Sequence, residues 1–278
     1  MTEIVWLDGQ MLPVPAAAVD LRCVRAVIAG QGVYETLRLE NGCAANIDAH
    51  LQRLAEGAGR LELTMPGRGQ LHTAVSEVAA ANQLSAAARI RIDLARAVKG
   101  GTLALVSASA LPLPAESQSL FTVPWRRNEY SPLAGTKYSA CPDNEIARQA
   151  AITSGCDEAL FLNTRGHVCE GAYSNLFAVT GNTVVTPPLD SGCLPGITRG
   201  IVIQLCRGVG IVCEERELRP DKLFTDATSE MFLTSSIRGV MPVNRLDARN
   251  FPAERPITAA LRTLYASRHF QQAAVPPR

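Results

Sequence analysis

Of 27 basic side chains, only Lys99, Lys137 and Lys222 are lysine; the other 24 are arginine. Arginine carries the same charge and packs its stem as well, but it does not deprotonate near neutral pH and offers no amine nucleophile. Lys137 therefore stands out in "LAGTKYSACPDN", a Gly/Pro-punctuated stretch ahead of a helical pattern. Other segments hold groups that an amine nucleophile would need beside it. In "LPGITRG", Gly196 lets the backbone approach closely, Thr198 adds a hydroxyl, and a helix opens whose free N–H groups face an anion. Arg53 in "HLQRL" has the reach and charge for a phosphate, and Ser235 and Ser236 in "FLTSSIRG" form a hydroxyl pair at a strand end. Glu170 in "HVCEGAYSNLF" interrupts a strand of core character, where a charge must be paired or face solvent. Singly these are a turn glycine, a helix cap, turn serines and a solvated arginine. Jointly they are what pyridoxal 5'-phosphate requires: a lysine for the aldehyde, a phosphate site, and a carboxylate that keeps the pyridine nitrogen protonated.

The elements that must position these groups follow from periodicity and turn chemistry. Asp8-Gly9 and Asn41-Gly42 each separate strand-like runs and predict hairpins. Leu51, Leu54, Ala58 and Leu61 recur at helical spacing, with Asp48 as the expected cap. A second helix is expected across "QLHTAVSEVAAANQL", then two strands joined at Lys99-Gly100-Gly101. Residues 124–135, "PWRRNEYSPLAG", read as the connection between domains. After Lys137 comes a capped helix ending at Gly155, a hairpin around Thr164–Gly166, and another around Gly181-Asn182. An apolar helix after Gly196, strands over 211–219 and 230–237, and a final helix over 256–270 complete an α+β pattern.

Composition excludes several classes. A net charge of +1 without any basic block lacks the footprint of a nucleic-acid binder. No run approaches a membrane span, and the first residues, "MTEIVWLDGQ", do not read as a secretory signal. The eight cysteines show neither CxxC nor zinc-type spacing, so no metal is expected; they read as small core hydrophobes in a reducing cytoplasm.

Taken in order, these segments resemble the class IV pyridoxal-phosphate enzymes of fold type IV, which include branched-chain and D-amino-acid aminotransferases and aminodeoxychorismate lyase. The resemblance runs from "GQGVYETLRL" and "HLQRLAEGAGRL" through "SPLAGTK", "GCDEALFLNTRGHVCEGAYSNLF" and "LPGITRG" to "FLTSSIRGVMPV". It implies a small N-terminal α/β domain (1–122), a linker (123–133) and a larger cofactor domain with a meander or barrel-like core (134–278), with the site in the cleft between them. It also implies that Lys137 forms the Schiff base and Glu170 contacts the pyridine nitrogen. Arg53, the backbone at Ile197 and Thr198, and the hydroxyls of Ser235 and Ser236 are implied for the phosphate. Tyr34 and Arg96 occupy positions where D-amino-acid aminotransferases bind the substrate carboxylate. The family's usual state is a homodimer.

The chain also departs from the family pattern. "DLRCVRAVIAGQG" stands where "DRG…YGDG" is usual, Pro142 replaces the tyrosine that touches the phenolic oxygen in branched-chain enzymes, and the histidine expected after Arg96 is missing. "FLTSSIRGVMPV" is closer to the lyases' "LTNS…GV.PV" than to the transaminases' "TAAEITPV". The favoured implication is therefore aminodeoxychorismate lyase, which releases pyruvate and 4-aminobenzoate for folate synthesis. The alternative is an amino acid aminotransferase of the branched-chain or D-amino-acid type.

Overall fold

A computed structural model describes residues 3–14, 31–84, 87–97, 100–113, 115–225 and 227–273. Its contacts divide the chain into Met1–Leu113 with Thr136–Ala140 and His269–Arg278, and Pro114–Gly135 with Cys141–Arg268.

In the first unit, β1 (Glu3–Leu7) and β2 (Gln10–Val14) form a hairpin, followed by β3 (Gly32–Glu40) and β4 (Cys43–Ala44). Asp8 and Gly9 (φ 44° and 94°), like Asn41 and Gly42 (φ 49° and 76°), take the left-handed conformations that a two-residue hairpin loop demands. Helices α1 (Ile47–Arg60) and α2 (Arg68–Ala81) precede β5 (Ala88–Arg96) and β6 (Thr102–Ala110). The strands form one antiparallel sheet in the order β2-β1-β6-β5-β3-β4. Ile90, Ile92 and Leu94 alternate onto the face where Leu51 and Leu54 of α1 and Leu71 and Val78 of α2 are buried. Arg89, Arg91 and Asp93 take the other face.

One local expectation changes. Asn46, not Asp48, is the N-cap of α1, in a left-handed conformation and without a side-chain cap bond. Asp48 instead accepts a hydrogen bond from or pairs with His72 of α2 at 2.9 Å. Of the expected joint between β5 and β6, Lys99 lies outside the described residues, while Gly100 and Gly101 have φ of 89° and 82°.

The second unit begins with β7 (Gln118–Arg127), whose last residues the sequence reading gives to the linker; they stay in the strand because Arg126 and Arg127 remain in register with Leu162 and Asn163. Then come α3 (Pro142–Thr153), β8 (Glu158–Asn163), β9 (Val168–Gly171), β10 (Asn175–Thr180), β11 (Thr183–Thr186) and α4 (Ile197–Gly208). They are followed by β12 (Cys213–Glu215), the short α5 (Pro220–Leu223), β13 (Thr228–Ser235), β14 (Gly239–Leu246), β15 (Arg249–Asn250) and α6 (Pro256–Ala273). The expected strand over 211–219 shrinks to three residues, because only these pair with β11 before Pro220 opens a helical turn. Cys141 stands at the N-cap of α3 without a side-chain bond, so Pro142 at the first helical position, and not a cap, starts that helix.

The sheet runs β12-β11-β10-β13-β14-β7-β8-β9, with β15 on β14. Strands β7 and β8 are parallel, with α3 as the crossover between them. One face packs Phe177, Phe232 and Val179 under Val202 and Ile203 of α4 and Leu261 of α6, the two phenylalanine rings stacked 4.8 Å apart. The other buries Leu120, Leu160, Leu176 and Met231. No helix among the described residues is long and apolar enough to cross a membrane.

Candidate active site

Lys137 sits on an added sheet edge in the first unit. Its carbonyl accepts the Tyr34 N–H at 3.0 Å, and the Ser139 N–H donates to the Gly32 carbonyl at 2.8 Å. Glycine is needed at 32, since a Cβ there would come within 2.7 Å of the Leu94 carbonyl and 3.1 Å of Ser139 Oγ. The backbone of Lys137 is thus fixed by a sheet ladder. Its Nζ lies 4.4 Å from the centroid of the Tyr34 ring, and the Arg91 guanidinium lies 4.0 Å from the same centroid. Arg91 is itself forked on Asp93, the residue facing Tyr34 across β3 and β5. Tyr34 is therefore an aromatic seat for cations.

On the opposite, helix-covered face of β3, Glu35 is completely buried between Val33 and Leu37. Three N–H donors surround its carboxylate. Arg53 gives Nε to Oε1 and Nη2 to Oε2, both at 2.7 Å, and His50 Nδ1 lies 2.7 Å from Oε2. Burial raises the Glu35 pKa, but the charge and hydrogen bonds of Arg53, with those of His50, outweigh it and hold the group at about 2. For His50, burial lowers the pKa; the Glu35 bond opposes this, and the charges of Arg53 and Lys137 add to the lowering. The net direction is down, so the imidazole is neutral. An ionised carboxylate only accepts, which assigns the ring proton to Nδ1.

In the second unit Glu170 stands on β9 opposite Phe161 of β8. Its Oε2 accepts the Leu194 N–H at 2.9 Å and its Oε1 lies 3.4 Å from Arg127 Nε, whose guanidinium stacks 4.2 Å over the Phe161 ring. The carboxylate is thus tied to the loop that leads into α4. Asn175 holds the same loop, donating Nδ2 to the Leu194 carbonyl at 2.8 Å. A Cβ on Gly196 would overlap Asn175 Oδ1, so the loop closes only around a glycine. Behind it α4 begins with no acidic residue in its first turn and no side-chain cap bond, and a helix start of that kind suits an anion. Thr198 is buried, with its hydroxyl 3.3 Å from Tyr265 Oη. Nearby in register, Thr234 of β13 pairs with Asn175 and has a buried hydroxyl without a partner. Cys169 and Cys193 are pushed up by burial first and then by the charge of Glu170, Cys193 to about 11, so neither is a thiolate near neutral pH.

An amine on an aromatic seat, a half-buried carboxylate and an uncapped helix start are the donor and acceptor set that pyridoxal 5'-phosphate requires, so the residues present fit that group. Among the expected residues, the structure brings Lys137 to Tyr34, and Glu170 to the loop before Ile197 and Thr198. Ser235 ends β13, its Oγ accepting the Arg238 N–H at 3.2 Å, and Ser236 is half-buried in the turn to β14. Arg53 is spent in part on Glu35, and Arg96 donates to the Leu61 carbonyl at the end of α1. Sequence reasoning passed over Glu35, His50 and Asn175. Glu35 had a readable signal: period two from Val33 to Leu39 puts it on the apolar face, where a carboxylate demands a cation. Asn175 had none, because its partner, Leu194, lies 19 positions away on a loop.

A model of the amino-transferase class IV family matches residues 32–246. A probable branched-chain-amino-acid aminotransferase of Thermotoga maritima is 31% identical over 261 residues, covering 93% of each chain. A bifunctional aminodeoxychorismate lyase / D-amino acid transaminase of Mycobacterium tuberculosis is 30% identical, over 90% of this chain and 93% of its own. The solved branched-chain aminotransferase of Thermoproteus uzoniensis with norvaline superposes with a TM-score of 0.90 at 26% identity, over 98% and 96% of the two chains.

Proposed function

Because the chain belongs to the class IV aminotransferase family, and is thus a fold type IV enzyme that uses pyridoxal 5'-phosphate, we propose that it removes pyruvate from 4-amino-4-deoxychorismate to leave 4-aminobenzoate. The observation that carries this choice is the segment "FLTSSIRGVMPV", lyase-like in its residues. It folds as a tight β13–β14 turn, closed by Ser235 and by Arg238, whose Nη1 donates to Glu158 and Gln118 at 2.9 and 3.0 Å. The Mycobacterium tuberculosis relative, named for lyase and transaminase activity together, supports it.

Each side chain then has a role. Lys137 would hold the cofactor, and its amine would take the proton from the substrate carbon that bears the amino group. When bound, the cofactor supplies an electron sink for the pair left on that carbon. Glu170, oriented by the Leu194 N–H, would keep the pyridine nitrogen protonated. The first-turn N–H groups at Ile197 and Thr198, with Arg53 and the hydroxyls of Ser235 and Ser236, take the phosphate. Tyr34 seats the lysine amine, and Arg96 is a candidate for the substrate carboxylate. The pair left on the substrate carbon would form the new ring double bond as the neighbouring carbon–oxygen bond breaks, and the departing enolate would take back the proton held by Lys137 to become pyruvate. We expect the working enzyme to be a cytoplasmic homodimer.

A second reading, transfer of the amino group to a 2-oxo acid, is favoured by the Thermotoga maritima relative. There Lys137 redelivers its proton and no carbon–oxygen bond breaks. Purified holoenzyme given 4-amino-4-deoxychorismate should release pyruvate and 4-aminobenzoate in equal amounts. Conversion of the cofactor to its amine form by single amino acids, without any pyruvate, would replace the lyase with the second reading.

A further inference from the structure

A carboxylate on the core face of β3 needs a reason beyond folding. Glu35 faces Ile92 across β3 and β5, and its neighbours on that face, Val33 and Leu37, are at most 1% exposed. An apolar residue of similar size would serve packing there, because a buried ion pair is typically no more stable than a well-packed apolar replacement. What the carboxylate adds is geometry. Its two oxygens engage Nε and Nη2 of Arg53 together, and that fork fixes both the plane and the direction of the guanidinium. His50 Nδ1, at 2.7 Å from Oε2, stops the carboxylate from rotating. The opposite edge of the guanidinium, with Nη1, is thereby aimed away from Glu35 in one orientation. The Arg53 side chain is only 9% exposed, so it has lost its rotamer freedom before any anion arrives.

We propose that Glu35, braced by His50, is a positioning residue that pre-orients Arg53 for the cofactor phosphate. The inference rests on the assignment of Arg53 to that phosphate. It also makes a prediction opposite in sign to simple electrostatics. Glu35 is a negative charge beside an anion site, so on charge alone its removal should tighten phosphate binding. If orientation governs, its removal weakens binding.

The test is the ratio of affinities of the full-length, cofactor-free chain for pyridoxal 5'-phosphate and for pyridoxal, followed by absorbance titration. Dividing one by the other isolates the phosphate's share, which a general loss of stability does not move. Glu35→Gln presents one acceptor where the fork needs two, and should reduce the ratio by on the order of tenfold, the worth of one pre-ordered side chain. Glu35→Asp keeps the charge that compensates Arg53 but withdraws it by one methylene, and should give the same loss if Glu35→Gln does not fold. Arg53→Lys should lower the ratio at least as much, and the Glu35→Gln/Arg53→Lys double variant should lose no more than Arg53→Lys alone. An unchanged or increased ratio in Glu35→Gln and Glu35→Asp, with Arg53→Lys impaired, overturns the positioning role and leaves the phosphate assignment standing. An unchanged ratio in Arg53→Lys overturns the assignment itself.

Discussion

Gly196→Ala tests how the anion site is built. A methyl group at 196 would overlap Asn175 Oδ1 and come within 3.2 Å of Asn175 Cγ and of Arg199 Cβ. Gly196 has φ −64° and ψ 133°, which alanine adopts freely, so backbone strain contributes nothing and space decides. Arg199 Cβ is fixed in the first turn of α4, which leaves Asn175 to move. Asn175 is only 5% exposed, and its movement breaks the 2.8 Å bond to the Leu194 carbonyl. A buried amide and carbonyl left unpaired cost about 1–3 kcal/mol. Forcing a methyl into a filled site costs about 1–3 kcal/mol more. The expected loss is therefore about 2–6 kcal/mol of unfolding free energy, read from urea transitions with an unchanged slope. Asn175→Ala removes the obstacle, so in that background Gly196→Ala should cost less than about 1 kcal/mol. Equal costs in both backgrounds, or a single-variant cost below about 0.5 kcal/mol, would refute the argument that Asn175 makes glycine obligatory.

Acid stability should report the Glu35 cluster. The folded pKa of Glu35, about 2, lies below the group's ordinary 4.5, so its stabilisation is complete above pH 4.5 and disappears as pH falls toward 2. That window is worth on the order of 3 kcal/mol; denaturant titrations from pH 5 to 2 should show it, and Glu35→Gln should flatten it. His50, whose folded pKa is also lowered, binds its proton more readily unfolded, so below about pH 6.5 it destabilises the fold. His50→Gln should remove that slope between pH 7 and 5. Lys137→Arg keeps a cation over Tyr34 and the ladder bond to its N–H, so its melting should change by less than about 1 kcal/mol. Borohydride treatment followed by mass spectrometry should find the cofactor fixed to the wild-type peptide bearing Lys137 and to no peptide of that variant.

Hairpins, helices and the α+β character are written locally. Asp8-Gly9 and Asn41-Gly42 can adopt only a few loop geometries, and Leu51, Leu54 and Ala58 can share a face only in a helix. The chemical inventory is equally local: one of three lysines in an arginine-rich chain, a carboxylate inside a core strand, a glycine opening a helix. Resemblance then converted that inventory into a family. What the sequence could not give is each group's partner, because partners are made by chain segments distant in sequence. Asp48 reads as a cap but meets His72, since α2 packs beside it. Arg53 reads as solvated, yet Glu35 on β3 claims it, and Lys137 finds Tyr34 only because 136–140 joins the sheet. Residue types and short-range sterics decide which elements form and which reactive groups are available. The direction in which a guanidinium points, the protonation of a buried imidazole and the need for glycine at 196 depend on burial and on atoms brought close by tertiary packing, and only the folded chain sets those.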